Sequence, residues 1–355
     1  TYKLWLERSS CILGRGRSNN SQSYPPEMNY KESKLILKEI KKAKKILIGC
    51  HKNPDGDTVG CALSLYQVLR NWKIKAQVVC SNKLPQSLNF IPFSDVIEQI
   101  DFNNYKFENH SAFIAVDTPD EAHVTGSKKI PLPPIPIFVI DHHKTNPKYG
   151  KINLIDEKIS SAAEILFLVL KDWEANVTKG IATTLLTGII SDTGIFKYPE
   201  VTVQTLVLAK ELIEKGANKN EIILNLFNSI EHERLKLWGE IINRMQIDTN
   251  NHFAWSAIPL EVYKEFSGSE SGRESFASMF GGAIKDTDFS IIMTEEYDRF
   301  CSISLRSRTE FDVSKIAVKL GGGGHKAAAG AKIEGLGFDE AVDKVLRVAR
   351  KFAKK

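Results

Sequence analysis

Residues 46–60 read ILIGCHKNPDGDTVG, and this stretch decides the fold predicted for the first half of the chain. The apolar run 46–50 is followed by a turn sequence and therefore predicts a buried β-strand. Beyond the turn, apolar residues recur at helical spacing and predict a helix from Thr58. A buried strand that passes through a tight turn into a helix is typical of α/β proteins.

The same alternation continues through the next hundred residues. Further strands are predicted at 76–80, 112–117 and 135–140, and a helix is predicted at 160–173. Strands that alternate with helices pair in parallel and are buried on both faces. We therefore predict an α/β fold that contains a mostly parallel, doubly wound sheet domain.

The second half of the chain has a different pattern. Helices dominate from residue 202 to 243, and strands return at 253–258, 289–294 and 301–305. We predict four segments: an extension that is disordered or foreign to the fold at 1–27, a first α/β domain at 28–230, a helical linker at 231–250 and a smaller α/β domain at 251–355.

Composition limits the class of protein. With 42% hydrophobic and 26% charged residues, the chain can bury an ordinary globular core, and its net charge of +5 is compatible with an anionic substrate without identifying one. The five cysteines form no CxxC pair, which favours a reducing, cytoplasmic setting. No apolar run approaches the roughly 20 residues that span a bilayer, so we expect a soluble protein without a membrane partner.

Acidic residues and histidines follow the predicted strands where those strands end. Taken singly, they have ordinary interpretations as turn residues or helix caps. The carboxyl ends of parallel strands meet at one edge of a sheet, however, and ligands bind there. The residues concerned are His51, Asp55 and Asp57 after the first strand, Asp117 after the third, Asp141, His142 and His143 after the fourth, and Asp192 at the end of the apolar helix 177–190.

Several aspartates at one sheet edge would repel one another unless cations neutralised them, and no local arginine cluster does so. Carboxylate and imidazole ligands without a suitably placed thiolate favour manganese, magnesium, iron or cobalt over structural zinc. Two such ions, roughly 3.5–4 Å apart and bridged by an aspartate, could activate a water molecule for an in-line phosphoryl displacement. The pattern thus indicates two-metal phosphoester hydrolysis.

The second domain contains two further motifs, SLRSR at 304–308 and GGGGHKAAAG at 321–330. Four consecutive glycines usually form a flexible linker. Here they lie between a predicted helix and a run of small residues, where backbone amides could approach a phosphate closely.

Together these motifs resemble those of the DHH phosphoesterase superfamily. The motifs of the second domain are similar to the DHH-associated C-terminal domain of oligoribonucleases that also act as phosphoadenosine phosphate phosphatases. The resemblance extends from about Met28 to the end of the chain.

The resemblance implies a role for each matching residue. It implies that the metal ligands are His51, Asp55 and Asp117 for one ion, and Asp57, Asp117, His142 and Asp192 for the other. It makes His143 the catalytic residue that faces the substrate phosphate, with Asp141 as its support. The implied substrate-binding residues are Arg306, Gly322, Gly323 and His325, with Arg308 as a weaker candidate. The expected cofactors are two divalent ions, Mn²⁺ before Mg²⁺ or Co²⁺, and relatives of this type commonly form homodimers.

The expected function is hydrolysis of short RNA or DNA oligonucleotides and small nucleotides. Substrates would be linear dinucleotides such as pApA and pGpG, or 3′-phosphoadenosine 5′-phosphate. One alternative is a phosphodiesterase for cyclic dinucleotides such as cyclic di-AMP. An alternative of another class is a nucleotide-binding sensor without catalytic activity.

Overall fold

The computed structural model describes residues 30–266 and 272–353, and the chain divides between Ser229 and Ile230 into two compact units. The extension predicted at 1–27 lies outside the described residues.

The first unit contains an entirely parallel sheet among its described residues, with the strand order β3-β2-β1-β4-β5-β6. Its strands are Lys45–Gly49 (β1), Lys75–Cys80 (β2), Ile97–Gln99 (β3), Ala112–Val116 (β4), Ile137–Asp141 (β5) and Ile152–Ile155 (β6). Its α-helices are Lys31–Lys42 (α1), Gly56–Asn71 (α2), Glu121–Thr125 (α3), Ala162–Asp172 (α4), Lys179–Asp192 (α5), Val203–Glu214 (α6) and Lys219–Phe227 (α7).

The central strands of this sheet are buried on both faces. In β1, Ile46 and Ile48 pack with the helical layer formed by α1, α2, α4 and α5, whereas Leu47 packs on the opposite face. That opposite face is covered by α3 and by irregular segments at 100–111 and 130–136, which place scattered apolar side chains on the sheet between asparagines in the first segment and prolines in the second. The predicted α/β fold with a parallel sheet is confirmed.

The second unit contains a mixed sheet with the strand order β11-β12-β10-β9-β8-β7 among the described residues. Strands β8 and β9 are parallel, and the other neighbours are antiparallel. The strands are Gln246–Asp248 (β7), Phe253–Ile258 (β8), Phe289–Tyr297 (β9), Phe300–Ser307 (β10), Gly323–Gly324 (β11) and Ala328–Glu334 (β12). The α-helices are His232–Asn243 (α8), Leu260–Tyr263 (α9), Gly272–Phe280 (α10), Ser314–Lys319 (α11) and Phe338–Ala353 (α12).

The stretch 231–250, expected to be a linker, forms α8 and β7 within the second unit. One face of α8 is apolar, and its Leu237, Trp238 and Ile241 are buried against residues of β8, β9 and α10. The Trp238 indole also donates a hydrogen bond of 2.9 Å to the carbonyl of Gly272. This burial makes α8 part of the core of the second unit.

Within the described ranges, none of the helices combines the length and apolar character that a membrane span requires.

Candidate metal centre

The turn between β1 and α2 holds His51 and Asp55. The ring Nδ1 of His51 lies 2.8 Å from the carbonyl oxygen of Lys52, so it donates there and Nε2 is the nitrogen that would bind a metal once its proton is released. Nε2 lies 3.5 Å from Asp55 Oδ1. Asp55 is also the N-cap of α2 and accepts hydrogen bonds from the amides of Asp57 and Thr58. The capping interpretation and the ligand interpretation therefore apply to the same side chain.

Asp117 lies at the centre of the site, directly after β4. It has a positive φ of 52°, a conformation that aspartate tolerates better than most residues, and its side chain is only 2% exposed. Its Oδ2 lies 3.4 Å from His51 Nε2, and its Oδ1 lies 3.4 Å from His142 Nε2. The two oxygens of Asp117 thus face two different histidines.

The end of β5 carries the triplet Asp141, His142 and His143. The Nε2 atom of His142 points towards the carboxylates and lies 3.1 Å from Asp192 Oδ2. The side chain of His143 is 37% exposed, and its Nδ1 lies 2.8 Å from Oδ1 of the fully buried Asp141. Because Asp141 holds Nδ1, Nε2 is the nitrogen of His143 that remains for a ligand.

Helices α2 and α5 contribute the last two carboxylates, Asp57 and Asp192. Asp57 is fully buried, and its oxygens accept hydrogen bonds of 2.6 and 2.9 Å from the amides of Ala162 and Ala163 at the start of α4. The positive end of the α4 dipole therefore favours this carboxylate, whereas burial and the charges of Asp117 and Asp192 raise its pKa in the absence of metal. Asp192 ends α5, where its Oδ2 reaches His142.

The side chains described above come from five segments of the chain and lie close together at one edge of the sheet. Among the described residues, ligand atoms lie within 4.8 Å of one another in the groups His51–Asp55–Asp117 and Asp57–Asp117–His142–Asp192, with Asp117 in both. A third group combines Asp117 with His142 and His143. In the third group, Nδ1 of His143 is already bonded to Asp141.

Two buried atoms test whether a cation fits this site. Asp117 Oδ1 and His142 Nε2 make no hydrogen bond of normal geometry, although they lie 3.4 Å apart and Asp192 Oδ2 lies 3.1 Å from the same nitrogen. Buried polar atoms rarely stay unsatisfied. The donor set of carboxylates and imidazoles suits divalent ions such as Mn²⁺. The residues therefore fit metal ions that would complete the bonding of these atoms.

The electrostatics of the protein without metal agree with this assignment. Burial alone would lower the pKa of His142, but the carboxylates of Asp117 and Asp192 outweigh it and raise the pKa to about 12. Burial opposes the same effect at His51, where Asp117 and Asp55 raise the pKa to about 11. Burial raises the pKa of Asp192 to about 6. In the absence of metal, protons neutralise the charge that cations would otherwise balance.

The substrate-binding residues predicted from sequence all lie in the second unit. Arg306 is in β10 and donates hydrogen bonds to the carbonyl of Leu305 and to Ser278 Oγ. Arg308 is exposed after β10, and its guanidinium donates to the Thr287 carbonyl at 3.3 Å. Arg306 pairs across the sheet with Ala328 of β12.

The glycine run forms one strand of a β-hairpin and is not a flexible linker. Gly323 and Gly324 pair with Gly330 and Ala329 of β12. Gly322 is sterically required, since a Cβ there would lie 2.1 Å from the Gly330 carbonyl oxygen. Its amide donates to the carbonyl of Ala317, so this amide is already used within the second unit. A Cβ at Gly323 would meet nothing within 4 Å, so that position is open.

His325 forms the turn of this hairpin and is exposed. It exchanges two backbone hydrogen bonds with Ala328, which pairs on its other side with Arg306. His325 and Arg306 are thus two strand spacings apart, roughly 10 Å, which a nucleotide can span.

One polar residue at the site, Asn146, was not predicted from the sequence. Asn146 donates a hydrogen bond of 2.6 Å to Asp141 Oδ2. The available signal was its position three residues after His143 in a polar loop, which also fits an ordinary turn residue.

Comparison with known proteins agrees with these observations. The sequence matches the DHH family, N-terminal domain, over residues 45–189 and the DHHA1 domain over residues 272–355. It is 30% identical to the bifunctional oligoribonuclease and PAP phosphatase NrnA of Thermus thermophilus, over 92% of this chain and 96% of that protein. The chain belongs to the DHH family.

Two further relatives support this assignment. The chain is 27% identical to the NrnA protein of Bacillus subtilis, over 88% of this chain and 95% of that protein. The crystal structure of an exopolyphosphatase-related protein from Bacteroides fragilis superposes with a TM-score of 0.82 at 26% identity, covering 91% of this chain and 96% of the other. The resemblance stated from sequence is confirmed: the chain is a DHH-family phosphoesterase with an Asp/His cluster that can hold metal.

Proposed function

We propose that this protein hydrolyses short oligonucleotides to nucleoside monophosphates, and 3′-phosphoadenosine 5′-phosphate to AMP and phosphate. One observation carries the proposal: two groups of metal ligands share Asp117, in a chain that also has the glycine-histidine hairpin. The two NrnA relatives, which this chain matches over 96% and 95% of their length, have both activities in their names.

Two divalent ions, Mn²⁺ before Mg²⁺ or Co²⁺, would be held by His51, Asp55 and Asp117 and by Asp57, Asp117, His142 and Asp192. Bound ions of this kind activate water and neutralise charge on the phosphoryl group.

The protein's own groups then orient the reaction. His143 presents Nε2 to the phosphate while Asp141 fixes Nδ1, so His143 can donate a hydrogen bond to developing negative charge or to the leaving oxygen. Burial lowers the pKa of His143, but Asp141 and Asp117 outweigh it and raise the pKa, which favours the donor form. Arg306 and His325, with the open backbone at Gly323, would bind the remainder of the nucleotide.

The cytoplasmic setting and the homodimer also belong to this proposal. Support for the setting comes from Cys50, Cys61, Cys80 and Cys301, which are buried free thiols.

The test is a parallel assay of the Mn²⁺-loaded protein. A labelled RNA trimer, pApA, cyclic di-AMP and 3′-phosphoadenosine 5′-phosphate are offered separately, and Asp117→Asn protein serves as the matched control. Turnover of the trimer, pApA or 3′-phosphoadenosine 5′-phosphate supports the proposal. Turnover of cyclic di-AMP alone favours the cyclic dinucleotide phosphodiesterase, and binding without turnover favours the sensor.

A further inference from the structure

Asn146 lies in the loop after β5, and both the nitrogen and the oxygen of its side-chain amide form hydrogen bonds. Its amide nitrogen donates to Asp141 Oδ2 at 2.6 Å and to the Thr118 carbonyl at 3.0 Å, while its oxygen accepts a bond from the amide of Lys148. Its own backbone amide donates to the carbonyl of His143 at 3.2 Å. The side-chain amide therefore has one fixed orientation.

These hydrogen bonds determine which oxygen of the Asp141 carboxylate is left for His143. Asp141 is fully buried, so each of its oxygens needs a partner from the protein. Asn146 occupies Oδ2, and Oδ1 is left to accept the hydrogen bond from His143 Nδ1 at 2.8 Å. The second bond of Asn146, to the residue after Asp117, ties the amide to the end of β4.

We propose that Asn146 is a positioning residue for His143 and acts through Asp141. This inference rests on the proposed function, in which His143 Nε2 meets the substrate phosphate. Without Asn146, the Asp141 carboxylate can rotate about its last bond and share its oxygens differently. His143 then loses its single ring orientation, while the metal ligands keep their own contacts.

A merely structural role would be to anchor the loop 143–150, and Tyr149 allows the two roles to be separated. The Tyr149 hydroxyl donates to the same Thr118 carbonyl at 3.1 Å. Asp141 Oδ2 has its hydrogen bond from Asn146 rather than from Tyr149. Tyr149→Phe therefore removes a loop anchor and leaves the orientation of Asp141 intact.

The kinetic test compares Asn146→Ala, Asn146→Ser and Tyr149→Phe in Mn²⁺-loaded protein, with thermal stability and metal content measured for each. We expect both Asn146 variants to lower kcat about 10- to 100-fold, the range typical of residues that orient reactive groups. KM and metal content should stay near the wild-type values, and Tyr149→Phe should keep wild-type kcat. An equal loss of kcat in Tyr149→Phe, or loss of metal in the Asn146 variants, would overturn the proposal.

A double-mutant cycle tests whether the effect passes through His143. In a His143→Gln background, Asn146→Ala should lower kcat little further, because the group that it positions is gone. Full additivity of the two losses would contradict the proposal.

Nuclear magnetic resonance gives a readout that does not depend on the substrate. In Mg²⁺-loaded protein, the Nδ1 proton of His143 should give a downfield resonance that Asn146→Ala removes or broadens and Tyr149→Phe preserves. An unchanged resonance in Asn146→Ala would refute the positioning role. If wild-type protein hydrolyses none of the four substrates, the proposed function fails while this measurement still tests the role of Asn146.

Discussion

His51 and Asp117 show how contacts and backbone conformation orient single side chains towards the candidate metal site. The Lys52 carbonyl holds one ring nitrogen of His51, and the other faces carboxylates. Asp117 has a positive φ that turns its carboxylate into the site. The positions of these residues in the sequence predicted that they lie close together, because the carboxyl ends of parallel strands meet at one edge of the sheet. They could not predict ring orientation or the role of Asn146, since both depend on contacts between separate loops.

Asp117 should be the most sensitive residue of the centre, because it belongs to both ligand groups. We expect Asp117→Asn, which tolerates positive φ, to lower kcat more than about 100-fold and to reduce bound metal. Metal content by mass spectrometry and turnover of the substrate panel check this. Asp120→Asn is the matched control, since Asp120 caps α3 and lies outside the ligand groups. Wild-type metal content in Asp117→Asn would rule out a bridging role.

Metal binding should release protons. At pH 7, His51 and His142 are protonated because their pKa values are raised to about 11 and 12, so binding should displace at least these two protons per chain. Below a pH of about 6, Asp192 also takes up a proton, and the affinity for metal should fall more steeply. Calorimetry in buffers with different ionisation enthalpies measures the release.

Two variants serve as controls for the proton count. His142→Gln should reduce the release by about one proton. His110→Gln should leave it unchanged, because His110 is outside the ligand groups. A metal affinity that does not depend on pH would contradict the assignment of these ligands.

His325 should affect substrate and not metal. We expect His325→Ala to raise KM about tenfold, the equivalent of about 1.4 kcal/mol, because an exposed histidine at the hairpin turn would lose a bond to phosphate. Metal content should not change. His232→Ala is the control, since His232 is an exposed histidine of the same unit. Equal metal loss in His325→Ala and Asp117→Asn would contradict separate roles for the two units.

At the scale of elements, the site depends on how closely α2 and α5 pack. A Cβ at Gly60 of α2 would lie 2.4 Å from the Thr184 carbonyl oxygen of α5, and one at Gly188 would lie 2.5 Å from Asp57 Oδ1. This close approach brings Asp57 and Asp192, which lie on different helices, to the same ion position.

Gly60→Ala should force the two helices apart. We expect it to lower the free energy of unfolding of the first unit by about 1–3 kcal/mol. It should also lower the affinity for the ion bound by Asp57 and Asp192 more than the affinity for the ion bound by His51. Urea unfolding and Mn²⁺ titration by electron paramagnetic resonance measure the two effects.

Gly239→Ala in α8 is the control, because a Cβ there meets nothing within 4 Å. It should be neutral or stabilise the protein by up to about 1 kcal/mol, as alanine favours helices. A Gly60→Ala protein with wild-type stability would show that the helices can relax without cost.

The same scale shows which elements a sequence can predict. Strands β1, β2, β4 and β5 were predicted to within two residues, because each contains a mainly apolar run. Edge strands β3 and β6 have three and four residues and were missed. Strand β12 begins in the small-residue run at 328–330, which has no strand signal, and pairing with β10 orders it.

At the scale of the whole molecule, each unit has its own core. In the first unit, apolar clusters cover both faces of the parallel sheet, and in the second, separate clusters pack against the mixed sheet. Domains with independent cores can fold alone. The candidate metal ligands found among the described residues all belong to the first unit.

The two units should therefore fold and bind separately. We expect fragment 30–229 to fold and to bind Mn²⁺. Fragment 230–355 should fold without binding Mn²⁺. It includes α8 because the core of the second unit contains Leu237, Trp238 and Ile241 of that helix. Circular dichroism melts and metal titration check both fragments. A fragment that begins at residue 251 is the control and should melt at a lower temperature, since it lacks α8 and β7. If removing α8 left the melting temperature unchanged, that helix would be a linker, as the sequence first suggested.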